Sequence, residues 1–325
     1  MLGIPDYYSK EVIKMQNNIA INVEHLSKTF NNQKVVDDVS FTVKKGEVFG
    51  LLGPNGAGKT TILRMITTLL KPTTGNITIF DHDIKKDSKL ARSTFGVTGQ
   101  YAAVDEDITA KENLLIFSRL NGLSKKEAQI RTKELLKEFS LEKSADKSIK
   151  EFSGGMRRRL DLAISLITRP EIIFLDEPTT GLDPRTRTQM WDTIRNLVKH
   201  GSTVFLTTQY LEEADTLADR IAVIDHGKLI RIGTPDKLKH EIGESKMSLK
   251  IIKNIDILPA AKILQNALNS KPQIINNTIT TRFKTTEQII DGLSQLSTDK
   301  INVSNLTIQE PSLDDVFMAL TIGKN

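Results

Sequence analysis

The 325-residue sequence contains no cysteine, a single tryptophan and few aromatic residues, 5% in all. Without cysteine there is no disulfide scaffold and no thiolate metal site, and a reducing compartment is permitted though not required. The five histidines, His25, His82 and His226 among them, lie too far apart for a zinc-ligand spacing. No stretch approaches the ~18 uninterrupted apolar residues of a membrane-spanning helix. Residues 1–10 lack the basic-then-apolar pattern of a leader. The chain is therefore expected neither to cross a membrane nor to leave the cell, with residues 1–18 a loose tail and Met15 an alternative start. A one-sided charge is missing too: 45 basic against 40 acidic side chains leave a net +5. The basic runs at Lys85–Lys86, Lys125–Lys126 and Arg157–Arg158–Arg159 are dispersed and have no aromatics between them, which argues against nucleic acid. Such runs read as solvated helix faces.

What is present is concentrated in three short segments. GPNGAGKT, residues 53–60, fits G-x-x-x-x-G-K-[ST]; it follows the apolar run EVFGLL at 47–52 and precedes a helical pattern over 61–70. A phosphate-binding loop needs that strand-to-helix context. Through Gly53, Pro54, Asn55, Gly56, Ala57 and Gly58 the backbone can wrap so that its amides face phosphate oxygens above a helix N-terminus, with Thr61 continuing the site. Lys59 would hold the β and γ phosphates of a nucleotide, and the Thr60 hydroxyl would ligate magnesium. The second segment, EIIFLDEP at 171–178, is an apolar run closing on two carboxylates. It reads as a buried parallel strand delivering charge at its C-terminal end, the edge at which open α/β sheets bind ligands. Asp176 is placed to hold magnesium through water, and Glu177 to polarise the water that attacks the γ phosphate. Taken alone, Asp-Glu before a proline would be a helix start or a turn; beside a phosphate loop the two motifs support each other. The third segment is FSGGM at 152–156, in which Ser153 suits a helix N-cap.

In this order the residues resemble the nucleotide-binding subunit of an ABC transporter over roughly residues 19–234. The resemblance implies that Phe30 stacks on adenine and that Gln100 contacts magnesium and reports to a membrane partner. It also implies that Ser153, Gly154 and Gly155 form the family signature, and that Gly181-Leu-Asp183 crosses a dimer interface. Singly, each has a blander alternative: Phe30 as a strand-end core residue, Gln100 as a surface polar group, Asp183 as the helix cap before Pro184. Met156 stands where many members carry glutamine. Gln209 stands where most carry the switch histidine; an amide can donate and accept hydrogen bonds but carries no proton at neutral pH. Gln209 is therefore expected to position, leaving Glu177 as the base. GLDPRTR at 181–187, TTQYLEEAD at 207–215, ADRIAVIDHG at 218–227 and the tail EPSLDDVF at 310–317 resemble the daunorubicin/doxorubicin-resistance type of ATP-binding subunit. Gln209 then reads as that branch's own pattern.

The expected fold is α/β: a P-loop NTPase core with an antiparallel β subdomain and a helical signature subdomain, followed by a small α+β domain. The tail spans 1–18, the ATPase domain 19–239 with its helical part at about 101–168, and the accessory domain 240–325. Strand patterns run over 20–30 and 35–43, where Val39, Phe41 and Val43 alternate; helical periodicity runs over 109–120, 125–139 and 154–167. In the family a groove beside Gln100 receives a short permease helix, and Leu114, Leu115, Ile116 and Phe117 line that groove or, at helical spacing, belong to the core. Arg157, Arg158 and Arg159 can also face lipid headgroups or a second copy's nucleotide. After Pro235 the pattern is strand 247–252, helix 257–268, strands 273–275 and 278–283 meeting at Asn276-Asn277, helix 286–296 and strand 301–308. That order, βαββαβ, is ferredoxin-like. It carries no recognisable cluster of convergent polar groups, which favours a dimerisation or stability module over a ligand sensor.

The resemblance implies two copies, each lending residues 153–155 to the other's ATP. It implies a separate multi-span permease that holds the chain at the cytoplasmic face of the plasma membrane, with ATP and Mg2+ as ligands. The expected cargo is a drug, antibiotic or lipid-like amphiphile, with polysaccharide or peptide as the alternative. A soluble ABC-type machine would show two P-loops in one chain or a long heptad insertion, and neither is present.

Overall fold

The computed structural model describes residues 18–99, 104–242 and 245–321. Gln100 and all but the last residue of the expected tail lie outside the described residues. Two compact units part after Pro235.

The first unit holds strands β1 (Ile19–Phe30), β2 (Gln33–Lys44), β3 (Val48–Leu52), β4 (Thr74–Ile79), β5 (His82–Asp83), β6 (Phe95–Thr98), β7 (Ile172–Asp176), β8 (Thr203–Thr208), β9 (Arg220–Asp225) and β10 (Lys228–Gly233). They form an antiparallel sheet ordered β2-β1-β4-β5 and a six-stranded sheet ordered β10-β9-β3-β8-β7-β6. Strands β9, β3, β8, β7 and β6 run parallel. β3, β7 and β8 are buried throughout, so both faces must be apolar, as their sequences are. Alternation divides their side chains between two cores. Phe49, Leu51, Phe174 and Phe205 join Val23 and Phe41 of the antiparallel sheet, while Val48, Ile173, Leu175 and Leu206 join the helices. Register sets Phe205 beside both Phe49 and Phe174. Five of the scarce aromatics thus form one row, Phe41, Phe49, Phe205, Phe174 and Phe95, with successive ring centroids 5.2–5.6 Å apart.

The helices of this unit are α1 (Lys59–Ile66), α2 (Ser88–Ser93), α3 (Ala110–Leu120), α4 (Lys125–Glu138), α5 (Gly154–Ser165), α6 (Pro184–Lys199) and α7 (Leu211–Leu217). α1 stops four residues before its periodicity does. Thr68 adopts φ 62° and the Leu70 amide returns to the Arg64 carbonyl at 2.9 Å, so the chain turns back at the helix end. α3 and α4 each open on a capping box, Thr109 with Glu112 and Ser124 with Glu127, which satisfies amides that the helix itself leaves free. The four residues expected either in a groove or in the core divide: Leu114 is fully buried, Leu115 and Phe117 half-buried, and Ile116 exposed.

The units part after the first residue of α8 (Pro235–Ile242), and the second continues with β11 (Ser245–Ile251), α9 (Ile257–Leu268), β12 (Gln273–Ile275), β13 (Thr278–Phe283), α10 (Thr286–Thr298) and β14 (Val303–Gln309). The strands form one antiparallel sheet ordered β12-β13-β11-β14, the ferredoxin-like arrangement, over its own core of Met247, Leu249, Leu264, Ile279 and Leu296. A final helix, α11 (Leu313–Thr321), lies beyond the expected elements. It is built by the tail motif: Ser312 accepts from the Asp315 amide, donates back to Asp315 Oδ2 at 2.8 Å, and Lys246 of β11 holds Asp315 Oδ1 at 2.8 Å. Those contacts, the lysine's first, hold the Asp315 carboxyl down at about 2. Among the described residues no helix is long and apolar enough to cross a membrane.

Candidate nucleotide site

Parallel pairing brings the functional segments to one sheet edge. Leu52, at the end of β3, pairs with Thr208, and Asp176, at the end of β7, pairs with Thr207. The loop from Gly53 therefore leaves the sheet beside the two carboxylates and beside Gln209, which is half-buried just past β8. Gly58 caps α1 with φ 103°, and a Cβ there would meet the Val35 carbonyl at 2.9 Å. Only glycine takes that turn at that approach.

Lys59 is buried, and its ammonium bends back over the loop. It donates to the Gly53 carbonyl at 2.8 Å and the Pro54 carbonyl at 3.0 Å, and lies 3.5 Å from Glu177 Oε1. Burial pulls its pKa down, opposed by Glu177 and then by Asp176. Thr60 donates to Asp176 Oδ1 at 3.2 Å, and Thr207 donates to the same oxygen at 2.6 Å. Glu177 sits at φ 47°, a left-handed conformation that a non-glycine residue holds only when its surroundings impose it. The restraints are visible: its amide donates to both the carbonyl and the hydroxyl of Thr207 at 3.1 Å, and Thr180 donates to its Oε2 at 3.1 Å. Lys59 with Glu177 and Thr60 with Asp176 thus form two contacting pairs, linked by the Thr207 hydroxyl.

The remaining expected site residues are engaged elsewhere. Phe30 ends β1, 42% exposed as a residue, with the Lys28 ammonium 4.9 Å from the ring centre. Ser153 caps α5, accepting from the Met156 amide at 3.3 Å. Gly155 meets α6: a Cβ on it would fall 2.1 Å from the Thr186 methyl, whereas Gly154 has open space. Asp183 caps α6 and accepts from the Thr186 hydroxyl at 2.6 Å and amide at 3.0 Å, bonds that hold its carboxyl below the usual range. The three arginines are not a solvated face. Arg157 donates to Glu106 at 2.8 Å and Arg159 to the Phe139 carbonyl at 3.1 Å. Arg158 turns to the Asp176 and Pro178 carbonyls. Each guanidinium ties α5 to its own chain.

Residues 36–180 match the family model for ABC transporters, and 233–321 match the model for the C-terminal domain of DrrA1-3-like ATP-binding proteins. The chain is 44% identical over 308 residues to the daunorubicin/doxorubicin resistance ATP-binding protein DrrA of Streptomyces peucetius, covering 93% of this chain and 92% of that protein. The chain belongs to the ATP-binding subunits of ABC transporters. It is similar also to the Nod factor export ATP-binding protein I of Rhizobium sp. (strain N33), 38% identical over 93% of this chain and 97% of that protein. Among solved structures, a dimeric ATP-binding cassette in a post-hydrolysis state bound to ADP and phosphate aligns with TM-score 0.59 at 29% identity, over 66% of this chain and 98% of that one. An ATP-binding subunit of an ABC transporter aligns at 0.62 and 29%, over 69% and 93%. As an ABC subunit the chain binds nucleotide, and its activity is ATP hydrolysis coupled to transport.

Motif reading missed several residues in and behind the candidate site. The Thr207 hydroxyl donates to the Asp176 carboxylate and accepts from the Glu177 amide; its one signal is a polar side chain closing an apolar strand. Thr180 orients Glu177 from three residues on. Glu213 is fully buried in α7 and accepts from Thr179 at 2.7 Å and from the Trp191 indole at 3.1 Å. Burial pushes its carboxyl up, those bonds notwithstanding. Arg158 was passed over because a run of arginines looks solvated when its partners are main-chain carbonyls.

Proposed function

We propose that this ABC subunit binds MgATP at residues 53–61, hydrolyses it with Glu177 as general base, and works as a two-fold pair of copies that energises export through a separate permease. The observation that carries this is the buried contact of Lys59 with Glu177 at 3.5 Å, with Thr60 and Asp176 alongside. The donors present suit both ligands. A buried ammonium over a loop closed by Gly58 suits a polyphosphate. A hydroxyl and a carboxylate oxygen sharing one contact are the hard ligands magnesium takes alongside phosphate and water. Magnesium, when bound, neutralises charge on the β and γ phosphates. Lys59 then exchanges Glu177 for phosphate, which frees Oε1 to take a proton from the attacking water while Thr180 keeps Oε2 oriented. Gln209 holds position without carrying the proton. Phe30 offers an open ring to adenine, and Gln100 completes the magnesium shell. Ser153, Gly154 and Gly155, at an amide-rich helix start, cover the γ phosphate of the other copy, with Asp183 at the seam between copies.

Over 93% of the chain in each case, two relatives named for daunorubicin or daunorubicin/doxorubicin resistance are 42% and 44% identical against 38% for the Rhizobium sp. Nod factor export protein, and the second unit matches the DrrA1-3-like C-terminal model. That supports a drug or similar amphiphile as cargo, with the chain held by its permease at the cytoplasmic face of the plasma membrane. The Nod factor export relatives support a different exported molecule as the second reading. The test is Glu177→Gln. Turnover should fall by about 10^2–10^4-fold, the usual contribution of a positioned base, while ATP and magnesium shift the variant to a dimer in gel filtration. Retained turnover would remove Glu177 as the base. A variant that stays monomeric with ATP, alone and with the permease, would remove the composite site. An efflux assay using the same variant as its inactive control then separates the cargo readings.

A further inference from the structure

Arg158 is the middle arginine of the three in α5 and the most withdrawn of those in ion pairs, its side chain 12% exposed against 34% for Arg157. Each nitrogen of its guanidinium donates to a different main-chain oxygen: Nε to Pro178 at 3.1 Å, Nη2 to Asp176 at 2.9 Å and Nη1 to Gly99 at 2.6 Å. Asp161, one turn on, lies 3.6 Å away and balances the charge. Pro178 and Asp176 flank Glu177. The strained left-handed peptide at Glu177 is therefore gripped from both sides by one side chain, and β6 is gripped one residue past its end. A rigid planar fork spreads its donors over three nitrogen atoms and so reaches carbonyls placed around it; lysine, whose three donors share one atom, cannot span these same three carbonyls. The helix that carries this fork begins at Ser153, about 7.5 Å away at 1.5 Å per residue. Its first turn is fixed against α6 where Gly155 meets Thr186.

We propose that Arg158 is a positioning residue that locks the helix start at 153–155 to the main chain on both sides of Glu177, so that each copy's carboxylate is aligned when its helix start engages the other copy's ATP. The coupling half of this rests on the two-copy reading above; the alignment half does not. Through Arg158 one element touches both composite sites. One site serves the partner's phosphate through amides 154–156, and the other holds this copy's own base, as a coupling between two ATP molecules requires.

The experiment is steady-state ATP hydrolysis by the full-length chain carrying Arg158→Lys, with Arg158→Gln as a second variant that keeps an amide donor but no charge. ATP binding without magnesium and the thermal midpoint are measured in parallel. We expect kcat to fall about 10- to 100-fold, the scale of a misaligned catalytic group, with the ATP Kd within about twofold of wild type. The Hill coefficient should drop from about 2, its ceiling for two sites, to about 1. Unchanged kcat in both variants overturns the alignment. A wild-type Hill coefficient of 1, or one that survives in the variants, overturns the coupling. A loss of ATP affinity in proportion to kcat, with a lowered thermal midpoint, reduces Arg158 to a structural tie and also counts against the proposal. A Glu177→Gln chain that fails to dimerise indicts the two-copy reading instead, and the KM-against-kcat split still decides the alignment.

Discussion

Glu177 and Glu213 show how a carboxylate's surroundings assign its task. Glu177 follows a buried strand, with the Lys59 ammonium 3.5 Å from Oε1 and the Thr180 hydroxyl donating to Oε2. Glu213 is shut away from solvent, and burial outweighs the bonds it takes from Thr208, Thr179 and the Trp191 indole, so its neutral form is favoured and its pKa lies above the ordinary 4.5. Folding then takes up a proton at this position. The associated stability is complete below about pH 4.5 and is lost as pH rises through the folded-state value. Glu213→Gln keeps the accepting oxygen and removes the titration. In denaturant unfolding from pH 5 to pH 8 the variant should gain stability relative to wild type; a difference that stays flat across that range would contradict the assignment.

At the scale of elements, the P-loop, the β7 carboxylates and the βαββαβ order of the second unit were legible in the sequence, because each depends on local pattern and on period. What was not legible depends on contacts far apart in the chain. The partners of Arg158 lie 18 to 59 residues away, and nothing in RRR distinguishes a carbonyl clamp from a solvated face. The early end of α1 follows from the left-handed Thr68, which apolar periodicity through 61–70 conceals. The tail EPSLDDVF resembles a family pattern, but its α11 cap is formed in part by Lys246 of β11, which no local reading supplies. Gly155 belongs here too. In the sequence it is half of a signature pair, whereas in the structure it is the contact of α5 with α6, where Thr186 is held by two bonds to Asp183. Gly155→Ala should therefore destabilise the first unit by about 1–3 kcal/mol through overpacking, and Gly154→Ala, with open space, by less. Equal unfolding midpoints for the two would show that this contact yields freely.

For the whole molecule, the described chain holds its candidate site residues in two separate groups. Lys59 meets Glu177 and Thr60 meets Asp176, while Ser153 and Asp183 are engaged by their own helix starts. In the two-copy reading, a site needs the first group from one copy and the second group from the other. Mixing two inactive variants, Lys59→Ala and Ser153→Arg, tests this directly. In a mixed pair one site combines both defects and the other has neither, so ATPase activity should reappear on mixing and rise with the fraction of mixed pairs, well above the sum of the two parents. Activity that never exceeds that sum, although mixed pairs are shown to form, would mean that each chain completes its own site and would contradict the account.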